Sequence, residues 1–169
     1  MVAPSGAIVY CAVLRVIIRN RPIVLKTCEF IVSGEPEGKG RPRITKTGRA
    51  YTPAKTRQYE ERIKQAAWAE MTKQKLRPTE RRVSMVVIAY FEIPKSYTKA
   101  ERLKCEAGIR IPTRVDLDNI AKAILDGCNG VAYADDRTVW HLTTFKRFCD
   151  VGQLPHVHVK IMWDDPDGT

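Results

Sequence analysis

Five carboxylates and a lysine fall within 21 residues of one another, at Asp116, Asp118, Lys122, Asp126, Asp135 and Asp136. Asp116 and Asp118 are two residues apart. In extended chain such residues point the same way, so both carboxylates can meet at one point. Beyond them, an apolar repeat through Leu117, Ile120, Ala121, Ile124, Leu125 and Cys128 predicts a helix over residues 116–129. With Asp118 at 0°, Asn129 falls near about 20°, Lys122 near 40°, Asp126 near 80° and Asn119 near 100°, opposite the apolar stripe. One face is core and the other is chemistry. If Asp135 or Asp136 also approaches the helix start, three carboxylates form a cluster suited to Mg²⁺, a small hard ion that takes oxygen ligands and keeps several waters. Such an ion polarises a phosphodiester, orients a hydroxide and offsets charge in the transition state. Lys122, one turn from Asp118, is placed to hold a phosphate oxygen or the attacking water. The plainer reading is that Asp118 or Asn119 caps the helix and Lys122 pairs with Asp126.

The rest of the chain is consistent with a polyanionic substrate. Its 169 residues carry a formal charge of +10 and a pI near 9.6. That charge is unevenly spread: residues 1–114 hold 24 basic and 10 acidic side chains, residues 115–169 hold 5 and 9. A protein that only coats nucleic acid has no need of an acidic segment, whereas a metal-dependent enzyme acting on phosphodiesters needs an acidic site inside a basic surface. Between Lys39 and Arg57 seven cations (Lys39, Arg41, Arg43, Lys46, Arg49, Lys55 and Arg57) occur without one acid. Their mutual repulsion is relieved if DNA phosphates neutralise them, and these seven are the expected DNA-binding residues.

The elements that must position these groups follow from pattern. Residues 27–33 alternate as a strand. Residues 34–53 hold Gly34, Pro36, Gly38, Gly40, Pro42, Gly48 and Pro53 and form a long loop. Residues 55–75 repeat apolar groups at helical spacing, and residues 82–93 form a buried strand ended by Pro94. Residues 137–148 and 155–163 read as two strands joined near Gly152 and Pro155, an antiparallel pair. The order β-α-β-α-β-β, with two main helices on a mixed sheet, predicts one α/β (α+β) domain over residues 26–163. Residues 1–25 stand apart as an extension, an extra strand or the product of a mis-assigned start, and 164–169 as an acidic tail.

Other classes are disfavoured. The apolar run of residues 7–18 is broken by Arg15 and is shorter than the roughly 20 residues of a membrane span, so no membrane partner is expected. Five scattered cysteines without a CxxC pair suggest neither a disulfide framework nor a zinc site, and a reducing cytoplasm is expected. His141, His156 and His158 are expected as polar strand positions rather than ligands, and Trp68, Trp140 and Trp163 as core.

The run Asp116-Leu117-Asp118-Asn119 with Lys122, then Asp135-Asp136, together with Gly38-Lys39-Gly40-Arg41-Pro42-Arg43 and Tyr51-Thr52-Pro53, resembles the RusA-type Holliday-junction resolvases, in particular phage and prophage members, over about residues 28–163. The resemblance implies a small homodimeric nuclease that uses Mg²⁺, with Mn²⁺ as a possible substitute, to cut branched double-stranded DNA symmetrically at four-way junctions in recombination and repair. It implies Asp116, Asp118 and Asp136 as metal-site acids, Lys122 as the essential lysine, and Asp135 and Asn119 as accessory groups. Val115 departs from a position where many members carry a basic residue or proline. Two other readings stay open: a nucleic-acid-binding module whose acids only cap a helix, and a metal-dependent nuclease of flaps, other DNA or nucleotides.

Overall fold

A computed structural model describes residues 25–165. The expectations for the segment before Leu25 and for the end of the acidic tail lie outside the described residues. The principal sheet has four strands, β1 (Leu25–Ser33), β4 (Val83–Phe91), β5 (Val139–Phe148) and β6 (His156–Asp164), in the order β1-β6-β4-β5. A separate two-stranded ribbon pairs β2 (Arg43–Ile44) with β3 (Ala50–Tyr51) inside the long basic loop. Three helices complete the fold, α1 (Ala54–Lys73), α2 (Lys99–Glu106) and α3 (Leu117–Cys128).

Alternation builds the sheet. In β4, Val83, Met85, Val87, Ala89 and Phe91 all point into the core, while the residues between them are half-buried on the other face. α1 supplies Tyr59, Ile63, Ala67 and Met71, spaced by four, and α3 supplies Ile120, Ala123, Ile124 and Cys128. The core is continuous through these groups, with α1 packed on β1 and on α3, an arrangement of helices against one sheet. The two helices approach closely at Gly127, where a Cβ would come 2.6 Å from the Cβ of Ile63.

Three sequence expectations are corrected. β5 and β6 do not form a hairpin, because β4 lies between them: β6 pairs antiparallel with both β1 and β4, and β5 runs parallel to β4. A parallel neighbour requires a long crossover, and residues 92–138, carrying α2 and α3, provide it. The helix α2 was hidden by its charged composition, but its start was written in Thr98 and Glu101, which form a capping box. Trp68 and Trp140 are 63% and 58% exposed, and only Trp163 is core. Taking Ile63 as 0°, Trp68 stands about 140° around α1, on its polar side.

Candidate active site and nucleic-acid interface

Asp116 occupies the N-cap position of α3 with extended backbone angles, yet its side chain makes no capping hydrogen bond. The expected capping role therefore falls to neither Asp118 nor Asn119 by position, and the residue that has the position leaves its carboxylate clear of the helix amides. Asn119 Nδ2 lies 3.5 Å from Asp116 Oδ2. Asp118, in the first turn, accepts from Lys122 Nζ at 3.3 Å, and both side chains are about two-thirds exposed. The lysine thus pairs back to Asp118 and not forward to Asp126. Two carboxylates, an amide and an ammonium share the open face at the start of α3, where the helix dipole also favours anions.

The Gly38-Lys39-Gly40 segment is seated against this helix start. The Lys39 amide donates to the Asn119 carbonyl at 2.8 Å. A Cβ on Gly38 would come 2.7 Å from Val115 Cγ1 and 2.9 Å from Asn119 Cβ, and one on Gly40 would come 2.7 Å from Thr56 Oγ1 at the start of α1. The loop is threaded between two helix ends where only glycine fits. Lys39, expected to bind DNA, instead places its ammonium on Asp126 of α3 and 3.6 Å from Glu60 of α1. Those two carboxylates hold its pKa above the ordinary lysine value despite partial burial. It is a clamp between loop and helices.

The remaining cations fall mostly on open surface. Arg41, Lys46, Arg49, Lys55 and Arg57 are exposed, and Arg43 lies in β2. Lys46 sits in the turn of the ribbon, closed by Thr45 N to Arg49 O at 2.9 Å and Gly48 N to Thr45 O at 2.9 Å. Lys55 is tied at 3.4 Å to Glu37. A basic two-stranded ribbon was not foreseen from sequence, where the segment read only as loop. Ile44 and Tyr51 are exposed on it as well.

Asp135 and Asp136 take different parts. Asp135 caps a short 3₁₀ turn (Asp136–Thr138) by accepting from the Arg137 amide at 2.9 Å, and it binds the Arg137 guanidinium at 2.9 and 2.8 Å. Those bonds to Arg137 hold its carboxyl far below the usual carboxylate range. Asp135 is committed locally, which leaves Asp136 as the exposed acid of the pair.

The structure does not bring Asp136 to Asp116 and Asp118 within one chain. Val115, just before α3, accepts through its carbonyl from Lys146 near the end of β5, at 2.7 Å. Asp136 precedes Val139, at the start of β5. These points are seven strand residues apart, about 23 Å. At that same far end Tyr133 donates to the Leu125 carbonyl, in the last turn of α3. Desolvation, followed by the nearby thiol of Cys128 and the charges of Asp136 and Asp126, pushes the Tyr133 phenol well up. β5 does run back alongside the helix, but its beginning lies by the helix's end. Accordingly, among the described residues no three His, Cys, Asp or Glu side chains form a group able to hold a metal.

Among the described residues the histidines and cysteines serve packing and pairing. His156 stacks on Tyr90 with ring centres 4.5 Å apart, and His158 bonds Glu29 at 2.8 Å. Cys28, Cys105, Cys128 and Cys149 are buried free thiols, and burial pushes Cys28 up to about 11, which makes a thiolate nucleophile implausible. Among the described residues no helix is long and apolar enough to cross a membrane.

Comparison with known proteins fits these features. The uncharacterised protein YqaN of Bacillus subtilis (strain 168) is 32% identical over 139 residues, covering 79% of this chain and 94% of that protein. The family model for endodeoxyribonuclease RusA matches residues 33–162, a span that takes in the glycine-seated loop, the start of α3 and the Asp135-Asp136 turn. The chain belongs to the endodeoxyribonuclease RusA family.

Proposed function

We propose that this protein is a Mg²⁺-dependent endonuclease that resolves four-way DNA junctions by paired phosphodiester hydrolysis, working as a homodimer. The observation that carries the reading is the N-cap Asp116, whose carboxylate is spared from capping and stands beside Asp118 and Lys122 on an exposed helix start. Magnesium is commonly held by one or two carboxylates with substrate phosphate and water completing its shell, and this donor set fits it. Asp116 and Asp118 would hold the ion, and Mn²⁺ would serve in its place; Asp136, at the far end of α3 in the same chain, would join them only across the homodimer. The bound ion would supply Lewis-acid polarisation of the scissile phosphate.

The chain's own groups do the rest. Asp118 holds the Lys122 ammonium on the open face, where it can bond a non-bridging phosphate oxygen as charge develops there. Asn119 orients the Asp116 carboxylate. The basic ribbon and the start of α1 grip flanking phosphates and fix the register of the cut.

Cleavage of a four-way junction, a flap, a duplex and a small nucleotide, each with and without Mg²⁺, tests the proposal. Divalent-dependent cutting in which the junction leads is the expected result. Asp118→Asn should abolish that cutting while binding the junction as well or better, because it removes a ligand and one negative charge. Binding without cleavage in any metal would reduce the protein to a nucleic-acid-binding module, and preference for the flap or nucleotide would reassign its substrate.

A further inference from the structure

A stripe of cations runs along α1, away from the acids, and a tryptophan stands in it. With Ile63 at 0°, Lys64 falls at about 100°, Arg57 at about 120° and Trp68 at about 140°, while the buried Tyr59, Ala67 and Met71 lie between about −40° and 80°. All three stripe residues are exposed, Trp68 to 63%. Glu61, at about 160°, borders the stripe and accepts from Gln65 at 3.3 Å. Beyond the helix the stripe continues. The Lys75 amide donates to the Thr72 carbonyl and the Leu76 amide to that of Met71, which closes α1 with Lys75 at φ 56°. That left-handed position is usually glycine, so a lysine kept there points to a use for its side chain. Arg77, also exposed, follows two residues later.

These groups are not engaged elsewhere. Among the described residues none of Arg57, Lys64, Lys75 and Arg77 enters an ion pair, whereas Lys55 is held by Glu37 at 3.4 Å and Lys73 by Glu70 at 3.2 Å. No ring or cation among the described residues stacks on Trp68, whereas Trp140 carries Arg82 at 6.0 Å. A row of open cations with an indole between them fits a polyanion whose charges are separated by apolar sugars. The cations take phosphates, the ring lies on a deoxyribose, and Nε1–H, a donor only, reaches a phosphate oxygen.

The length of the row fixes the size of its occupant. Arg57 to Lys75 spans eighteen helical steps, about 27 Å, which is about eight base pairs at about 3.4 Å each. Its near end adjoins the proposed site, because the Gly38–Gly40 loop is seated on the starts of both α3 and α1. We infer that one duplex arm of the substrate lies along α1 from Arg57 to Arg77, so that full binding requires about eight paired bases beyond the start of the helix. This rests on the nuclease reading above, in which DNA enters at the basic ribbon. Selectivity for long paired arms over short flaps and nucleotides then belongs to α1, at a distance from the acids.

Binding is measured on the full chain without divalent metal, so that cleavage plays no part. Junctions with arms of about 20 base pairs are compared with junctions whose arms of about 5 base pairs, too short to reach Lys75, are closed by hairpin loops. The double variant Lys75→Gln with Arg77→Gln should bind the long arms on the order of tenfold more weakly at 0.1 M salt, with a log–log salt slope lower by about 0.9 for each phosphate released. On the short arms it should match the wild type. Arg77→Gln alone serves if the double variant melts early. Equal loss on both junctions places these cations at the branch point and overturns the inference, as does wild-type binding of the long arms.

Trp68 gives an independent reading through its fluorescence. The long-armed junction should change the emission of Trp140→Phe as it does that of the wild type, and Trp68→Phe should lose most of that change. A change that survives in Trp68→Phe, or no change in the wild type, removes the indole from the track and overturns the inference. A wild type that cuts junctions but binds long and short arms alike rejects the track and spares the nuclease reading. A wild type that holds long arms through Lys75 and Arg77 yet cuts in no metal supports the track and rejects the nuclease reading.

Discussion

Gly38 rests on Asn119 so closely that a Cβ built on the glycine would stand 2.9 Å from the Asn119 Cβ. The same closeness that excludes a side chain lets the Lys39 amide reach the Asn119 carbonyl, and so the loop is fixed to the helix that carries the acids. Gly38→Ala should lift the loop or displace the start of α3. Overpacking of this kind costs about 1–3 kcal/mol. Thermal unfolding should register that loss, and junction cleavage should fall further than stability alone explains. A variant with wild-type melting and wild-type cleavage would show that the loop yields freely.

Lys122 has two roles of very different size. As an exposed partner of Asp118 it contributes about 0.3–0.5 kcal/mol to stability. As a donor to the scissile phosphate, its loss should slow cleavage on the order of 10²–10³. Lys122→Ala is expected to fold and to bind junctions nearly normally while cutting at least about a hundredfold more slowly in a single-turnover assay. Lys122→Arg should recover little, because the guanidinium fork does not reproduce a compact ammonium. A rate for Lys122→Ala within about threefold of wild type would return the residue to the solvated surface.

The basic ribbon should act by neutralising phosphates. Alanine at Arg41, Lys46 and Arg49 together should weaken junction binding and flatten its salt dependence by about 0.9 in log–log slope for each phosphate that is no longer neutralised. Lys39→Ala should behave differently, lowering thermal stability through the loss of its pairs with Asp126 and Glu60 and leaving the salt slope nearly intact. Binding titrations at several salt concentrations separate the two. Equal slopes in wild type and the triple variant would remove the ribbon from the DNA interface.

The start of α2 should report on acid. The Thr98 amide, the Arg110 guanidinium and the Thr98 hydroxyl hold the Glu101 carboxyl down to about 2, from an ordinary 4.5. Because the folded-state value lies below the unfolded one, this carboxylate's support for the cap is complete above about 4.5 and is lost as pH falls toward about 2. Carbon-13 shifts of the Glu101 carboxyl should titrate at that low value in the wild type and higher in Arg110→Ala. A wild-type midpoint at 4.5 would mean that the capping box is open in solution.

Much of the architecture could be read from residue pattern, and the failures have physical causes. The alternation in β4 and the four-residue spacing from Tyr59 to Met71 locate a buried strand and a helix because each pattern belongs to one geometry. The partners of a strand are another matter. The short link between Phe148 and His156 looks like a hairpin, but β4 has apolar side chains on both faces and takes the interior place between β5 and β6. The acids at Asp116 and Asp118 were legible because both stand at one helix start. Their distance from Asp136 was not, since it depends on which way β5 runs past α3. Lys39 looked like its basic neighbours, and only the carboxylates of Asp126 and Glu60, distant in sequence, distinguish it.

The last described strand, β6, lies inside the sheet between β1 and β4. Without His156–Asp164, β1 has no neighbour in that sheet among the described residues and the core lacks Val157, Val159 and Ile161. A chain without His156–Asp164 therefore holds its acids and basic ribbon on an unfinished scaffold, so a truncation before residue 156 should remove the whole domain rather than leave a partial one.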